Sequence, residues 1–463
     1  MSRRGKTALL TLACAAALFV LYFFRLDAMG MVAPDEPRYA AIGREMALSG
    51  DWVTPRLWGK AWFEKPALLY WMTATATLLG AGLDLAPRLP VALLSTAFLL
   101  FFFWILRREW GTSPALYASA ILASSAGWIA FSQIGVTDLP LAAAFSAATL
   151  LTLPWLARRD RSMLPASAAL LGLAVLAKGL VPLVLVLPLF WFGRKQLGDL
   201  LRPSILGAFA VVALPWYVLC ALRNGSPFLE TFFLQHQLGR FTSGALQHGQ
   251  PLWFYLPVLL GCFFPWTIML GLLFRRPLYR TANAKFLLAI AAFGFAFFSL
   301  SANKLPGYLL PLLPALAALM GLALHQMRVT APWLLLSTVT LAWAPVIGSM
   351  LPVALESGLR HAWPVPEIVR FQAGLLMLPL VMAGGTELLA ERFKRRTWAV
   401  AIVFGLTVVA VAWLKVVILP KVDQAASARP FYQPGIVCAG PMPRARHYGL
   451  NYYAGRDLPD CKP

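Results

Sequence analysis

The chain has 463 residues, of which 59% are hydrophobic and only 13% charged, and its mean hydropathy is +0.69. Soluble domains carry about 25% charged residues, so the composition excludes an ordinary soluble domain and indicates a polytopic membrane protein. The formal charge of +21 does not argue for a nucleic-acid partner, because Lys and Arg fall in short loops between apolar runs, where the positive-inside rule puts them.

In chain order, the N-terminus MSRRGKTALLTLACAAALFVLYFF has a basic head and an apolar run without a small-x-small cleavage site before Arg25, which predicts a retained signal-anchor. A helix needs about 20 apolar residues to cross the hydrocarbon layer. That rule gives candidate spans at 7–24, 88–106, 113–132, 139–156, 163–177, 179–192, 204–222, 252–273, 286–301, 306–325, 331–350, 371–389 and 397–418, an all-α chain with about 13 transmembrane helices. With this set, Arg3, Arg4 and Lys6, Arg107–Arg108, Arg158–Arg159–Arg161, Arg194–Lys195, Arg275–Arg276 and Arg392–Lys394–Arg395–Arg396 alternate onto the cytoplasmic side. The first loop (26–87), Asp138, the second large loop (223–251), Asn303–Lys304, the 351–370 loop and the tail (420–463) then face outward. This alternation requires Pro66–Gly82 to lie in the interface as a juxtamembrane helix rather than to cross.

The first loop is polar in an apolar chain. Of 19 Asp and Glu residues, Asp27, Asp35, Glu36, Glu45, Asp51 and Glu64 fall between Asp27 and Lys65, beside Arg38, Arg44, Arg56, Lys60 and Lys65. Asp35 is placed to cap a short helix, with Pro37 in its first turn and Gly50 as its stop. Tyr39, Ile42 and Met46 form an apolar stripe, so the expectation is an amphipathic helix lying on the membrane. Cys14, Cys220 and Cys262 lie in apolar runs, and there is no CxxC, metal-finger spacing or P-loop. The tail is too short for its own core and is expected to pack on the 1–419 membrane domain, where Cys438 and Cys461 could pair in an oxidising compartment.

A group-transfer enzyme on the outer face lacks ATP and nucleotide sugars and needs an activated donor embedded in lipid. Its site needs a carboxylate base, cations or a metal for the leaving phosphate, and a groove for a prenyl chain. The string PDEPRYAAIGREMALSGDWVTPRLWGKAWFEKPALLYW resembles the first external loop of the GT-C-fold glycosyltransferases that use polyprenyl-phosphate sugars. It is most similar to the aminoarabinose transferase branch that modifies lipid A, and more distantly to protein O-mannosyltransferases. QIGVTDLP at 133–140, AKG at 177–179, QHGQPLWFY at 247–255 and NKLPGYLLPLLP at 303–314 match the same pattern.

The resemblance implies a GT-C fold with a periplasmic active site at the bacterial inner membrane, an undecaprenyl-phosphate sugar as donor, and lipid A as acceptor. Asp35 is the candidate base beside the acceptor hydroxyl, and Asp138 a second acidic residue, each with a helix cap as its alternative reading. Arg38 and Lys65 suit a phosphate, Arg by paired hydrogen bonds and Lys as a point charge, or else ion pairs with nearby carboxylates. Lys178 could bind phosphate or snorkel, and Lys304, close to Tyr308, is a lone cation at the outer boundary of apolar spans. By resemblance, Glu64 of FEKP pairs with a His of the later loop, His248 or else His236, around a divalent metal such as zinc. The tail departs from the family, whose members carry a larger outward C-terminal domain, and this leaves another lipid glycan or a protein open as acceptor. The rival of another class is a lipid-carrier transporter or flippase. It is disfavoured because the charges map to span ends and loops rather than the bilayer midplane.

Overall fold

The computed structural model describes residues 3–232, 250–357, 384–385 and 396–461. Among these, seven helices are long and apolar enough to cross a membrane: Leu89–Trp110, Asp138–Arg158, Pro203–Asn224, Ala282–Leu300, Pro306–Gln326, Ala331–Ser357 and Arg396–Ala426. Three more predicted spans are shorter apolar helices, Ala8–Tyr22, Leu164–Lys178 and Val181–Phe192. The predicted span at 371–389 lies outside the described residues except for 384–385.

Two predicted spans are not single rods, and the residues at each break explain why. The 252–273 segment is bent by 118° between Leu252–Cys262 and Trp266–Phe274, where Pro265 cannot donate a helical hydrogen bond. The 113–132 segment divides into Thr112–Ala123 and Ala126–Phe131. There the Ser124 and Ser125 hydroxyls donate back to the carbonyls of Ala120 and Ile121, each at 2.6 Å, competing with the backbone ladder.

Asp138–Arg158 and Pro306–Gln326 are enclosed by protein along nearly their whole length, whereas Pro203–Asn224 and Arg396–Ala426 are peripheral. Close approach at the centre depends on small residues. A Cβ at Gly321 would lie 2.4 Å from the Ala118 nitrogen. The loops that charge alternation assigns to one side do meet. Glu109 takes both terminal nitrogens of Arg158, at 2.9 and 2.6 Å, and Asp199 takes Arg161 at 2.8 Å.

At the other end, two helices of the first loop, Asp35–Ser49 and Leu68–Leu78, pack together. The second has 11 residues and is too short to cross, in keeping with a juxtamembrane Pro66–Gly82. The Asp35–Ser49 helix ends at Gly50 in the left-handed region, φ 70°. It is not an amphipathic helix with one buried face. The predicted stripe of Tyr39, Ile42 and Met46 is buried, but so are Glu36 to Ala41 and Gly43 on the other faces. Gly43 permits this, since a Cβ there would lie 2.6 Å from the Thr73 Cβ of the neighbouring helix.

The tail covers this loop. Its helix Arg444–Ala454 presents Tyr453, whose hydroxyl donates to Asp84 at 2.6 Å and accepts from the Met31 N–H at 3.0 Å. The Tyr452 hydroxyl donates to the Leu83 carbonyl at 2.7 Å, and Arg44 donates to the Tyr452 carbonyl at 3.2 Å. Cys438 and Cys461 form a disulfide with a Cα–Cα distance of 4.9 Å.

Candidate active site

The first group of site residues is an alternating chain of charges. The Asp35–Ser49 helix starts at Asp35 itself, and Pro34 before it is in the helical rather than the extended region, φ −82° and ψ −22°. Asp35 is therefore not a cap, and its carboxylate instead takes Arg38 one turn along. Arg38 also donates from Nε to the Pro34 carbonyl at 3.0 Å and from Nη1 to Glu64 Oε2 at 3.1 Å. Lys65 Nζ reaches Glu64 Oε1 at 3.0 Å. A two-residue hairpin, Arg56–Leu57 against Lys60–Ala61, returns the chain so that Glu64 and Lys65 face the helix.

The side chains of Arg38, Glu64 and Lys65 are buried, whereas that of Asp35 is 39% exposed. Asp35 is thus the carboxylate of this chain that a substrate can reach. Burial alone would lower the Arg38 pKa, but the charges of Glu64 and Asp35 outweigh it and hold the guanidinium above its ordinary value. Tyr39 is shifted up, first by burial and then by Glu64 and Asp35, so it stays neutral.

Beside this chain lies a buried ion pair that has no role in the sequence reading. Glu36 accepts from Arg88 Nε at 2.7 Å and Nη2 at 2.8 Å, and from the Gly135 N–H at 2.8 Å. Arg88 also donates to the carbonyls of Leu26 (3.3 Å), Met29 and Gly30 (2.9 Å). One buried pair thus ties the start of the first loop, the Asp35 helix and the QIGVTD loop together. Arg88, lying between Pro87 and the Leu89–Trp110 span, reads in sequence as a boundary residue. The available signal was its place on the outward side, where the alternation expects few cations.

The QIGVTD loop leads to the second group. The helix that follows begins at Asp138 without a side-chain cap bond, so the cap reading fails here too. Asp138 Oδ1 instead accepts from Lys178 Nζ at 2.7 Å. Lys178 stands 4.6 Å from the centre of the Tyr308 ring. It is neither snorkelling nor isolated, because an anion and an aromatic face hold it. Gly307 lets NKLPGY approach, since a Cβ there would lie 2.5 Å from Asp138 Oδ1. Lys304 is buried, and its ammonium donates to the carbonyls of Ser301 at 2.6 Å and Gln250 at 3.0 Å. Among the described residues it pairs with no carboxylate. The two groups are neighbours: Phe63 and Ala67, on either side of Glu64–Lys65, share a buried cluster with Leu176, two residues before Lys178.

The metal expectation rests on Glu64 with His248 or His236. Both histidines lie outside the described residues. Among the described residues no three His, Cys, Asp or Glu side chains form a metal-holding cluster, and the two Glu64 oxygens meet Arg38 and Lys65.

Comparison with known proteins gives this geometry a family. The family model for dolichyl-phosphate-mannose-protein mannosyltransferase matches residues 64–220. The undecaprenyl phosphate-alpha-4-amino-4-deoxy-L-arabinose arabinosyl transferase of Pseudomonas aeruginosa strain LESB58 is 31% identical over 437 residues, 91% of this chain and 76% of that protein. Transferase 2 of the same description from Pseudomonas fluorescens strain Pf-5 is 36% identical over 322 residues, 66% of this chain but only 55% of the relative's own length. The crystal structure of ArnT from Cupriavidus metallidurans bound to undecaprenyl phosphate superposes with a TM-score of 0.79 at 26% identity, covering 98% of this chain and 85% of that one. The chain therefore belongs to the undecaprenyl phosphate-aminoarabinose arabinosyl transferases, membrane glycosyltransferases of GT-C fold.

Proposed function

We propose that this chain transfers an aminoarabinose-type sugar from an undecaprenyl-phosphate carrier to lipid A or a related lipid glycan, at the periplasmic face of a bacterial inner membrane. The observation that carries this reading is the Asp35–Arg38–Glu64–Lys65 chain, which leaves Asp35 open to solvent and buries the rest. The relative from Cupriavidus metallidurans was crystallised with undecaprenyl phosphate, which supports that donor. The tail disulfide suits an oxidising compartment.

In this reading Asp35 takes the proton of the acceptor hydroxyl, with Arg38 fixing the carboxylate's orientation. The acceptor oxygen bonds to the anomeric carbon as the carbon–oxygen bond to the phosphate breaks, and attack from the opposite face inverts that centre. The charge on the departing undecaprenyl phosphate is offset by Lys304 and Lys178, with Arg38 and Lys65 behind them. Asp138 holds Lys178 in place, and Tyr308 gives that ammonium its second wall.

Purified protein in detergent separates transfer from transport, because transfer needs no sealed vesicle. Asp35→Asn is expected to insert normally, to bind undecaprenyl phosphate, and to lose transfer by roughly 10²–10⁴-fold, the scale of general-base catalysis. Wild-type turnover in that variant removes Asp35 from the mechanism. The mannosyltransferase family match over 64–220 supports a second reading with a protein acceptor. Mass spectrometry of lipid A and of glycoproteins, from cells with and without this chain, decides between them.

A further inference from the structure

The functional reading uses Arg38 but leaves open what holds its faces. Each nitrogen of the guanidinium makes one hydrogen bond: Nε to the Pro34 carbonyl, Nη1 to Glu64 and Nη2 to Asp35. These bonds lie in the plane and leave its two faces to other contacts. Three rings surround it, with centres 5.9 Å (Tyr39), 5.7 Å (Trp62) and 5.4 Å (Tyr448) from Cζ. Tyr39 and Trp62 belong to the first loop. Tyr448, the nearest, comes from the tail helix.

We propose, resting on the functional reading above, that the tail completes the donor site and that Tyr448 is a positioning residue acting through Arg38. Its ring covers a guanidinium that must present one edge to Asp35 and another to Glu64. Attraction between the cation and the ring face fixes the plane. Excluding water there strengthens every charge interaction Arg38 makes. Tyr448 is half-buried, at the rim between solvent and Arg38. The ring is held from outside as well, with Arg444 Cζ 5.3 Å from its centre and Arg444 Nη2 donating to its hydroxyl at 3.4 Å. The tail is not free to swing, because Tyr452, Tyr453 and the acceptor carbonyl for Arg44 pin the same helix to residues of the first loop.

The test is binding of undecaprenyl phosphate to the purified full-length chain in detergent, followed by calorimetry. The proteins are wild type, Tyr448→Phe, Tyr448→Ala, Arg38→Gln and the Arg38→Gln/Tyr448→Ala pair. Melting temperature and an intact Cys438–Cys461 bond verify the fold, and Tyr448→Leu replaces the alanine variant if that unfolds. Tyr448→Ala is expected to weaken binding about tenfold, the scale of a desolvated cation–ring contact, and Tyr448→Phe to stay within about twofold of wild type. In the Arg38→Gln background, loss of the ring should change nothing further. Wild-type binding by Tyr448→Ala, an equal tenfold loss with Arg38 already gone, or a phenylalanine variant as weak as alanine would each overturn the proposal. If wild type itself fails to bind undecaprenyl phosphate, the functional reading falls and takes this inference with it.

Discussion

The two charged groups of the site are built on opposite principles. In the first, among the described residues, two carboxylates, Asp35 and Glu64, stand against two cations, Arg38 and Lys65. In the second, Asp138 matches Lys178, and among the described residues Lys304 meets backbone carbonyls alone, which leaves one buried positive charge over. A balanced group is a scaffold that aims a carboxylate. A group with surplus charge is a seat for an anion, because a buried cation without a counter-ion has a large desolvation cost that an arriving phosphate relieves. The carbonyls around Lys304 reduce that cost without cancelling the charge. The division of labour follows: proton transfer belongs to the Asp35 side alone, while the phosphate meets its surplus charge on the Lys304 side, with Arg38 supporting it from the first group.

The strongest way to break this comparison is to remove the pair that holds the two groups in register. Arg88→Ala leaves Glu36 buried without its partner, and breaking a buried ion pair from one side costs about 3–5 kcal/mol. We expect a large fall in the melting temperature of the detergent-solubilised protein and loss of transfer with it. A mild effect on stability would mean that Asp35 and the QIGVTD loop are positioned independently of Arg88. Next in size is Lys304→Met. It should weaken undecaprenyl phosphate binding by roughly 10–100-fold, the worth of a hydrogen bond to a charged group, while leaving the melting temperature unchanged or higher. Lys65→Met, by contrast, disturbs the balanced group and should lower stability, since it takes a cation from buried Glu64. Wild-type affinity in Lys304→Met would leave the phosphate to the first group alone and erase the distinction.

The same contrast explains what could be read from sequence. Long apolar spans are legible because lipid leaves no other use for about 20 apolar residues in a row. The acid-rich first loop is legible as an excess of charge against that background. The choice between cap and site residue for Asp35 and Asp138 was not, because a cap needs an extended residue ahead of the helix, and Pro34 and Thr137 are both helical. Partnerships across the fold were also hidden. Lys178 meets Asp138, Arg88 meets Glu36, and Tyr448 meets Arg38 only once the spans have packed, and no local spacing encodes these meetings. The bend at Pro265 was visible as a proline, but in a run so apolar that length outweighed it.

The smallest expected effect tests whether the balanced group is wholly structural. Tyr70 is fully buried beside Tyr39, with ring centres 6.0 Å apart, and among the described residues its hydroxyl has no hydrogen-bond partner. Burial first, and then the charge of Glu64, raises its pKa well above the usual 10.0. The folded state therefore keeps this proton more tightly than the unfolded chain does. Stability from this group is complete below the ordinary tyrosine value and is lost as pH rises from there toward the folded value. Tyr70→Phe removes an unsatisfied hydroxyl, so it should leave stability at neutral pH equal or raised by about 1 kcal/mol. It should also lessen the decline in melting temperature above pH 10, a decline that Tyr39 shares. If instead Tyr70→Phe keeps its stability and loses transfer, the hydroxyl serves the substrate, and the group that looks like scaffold would contain a second contact with the reacting molecules besides Asp35.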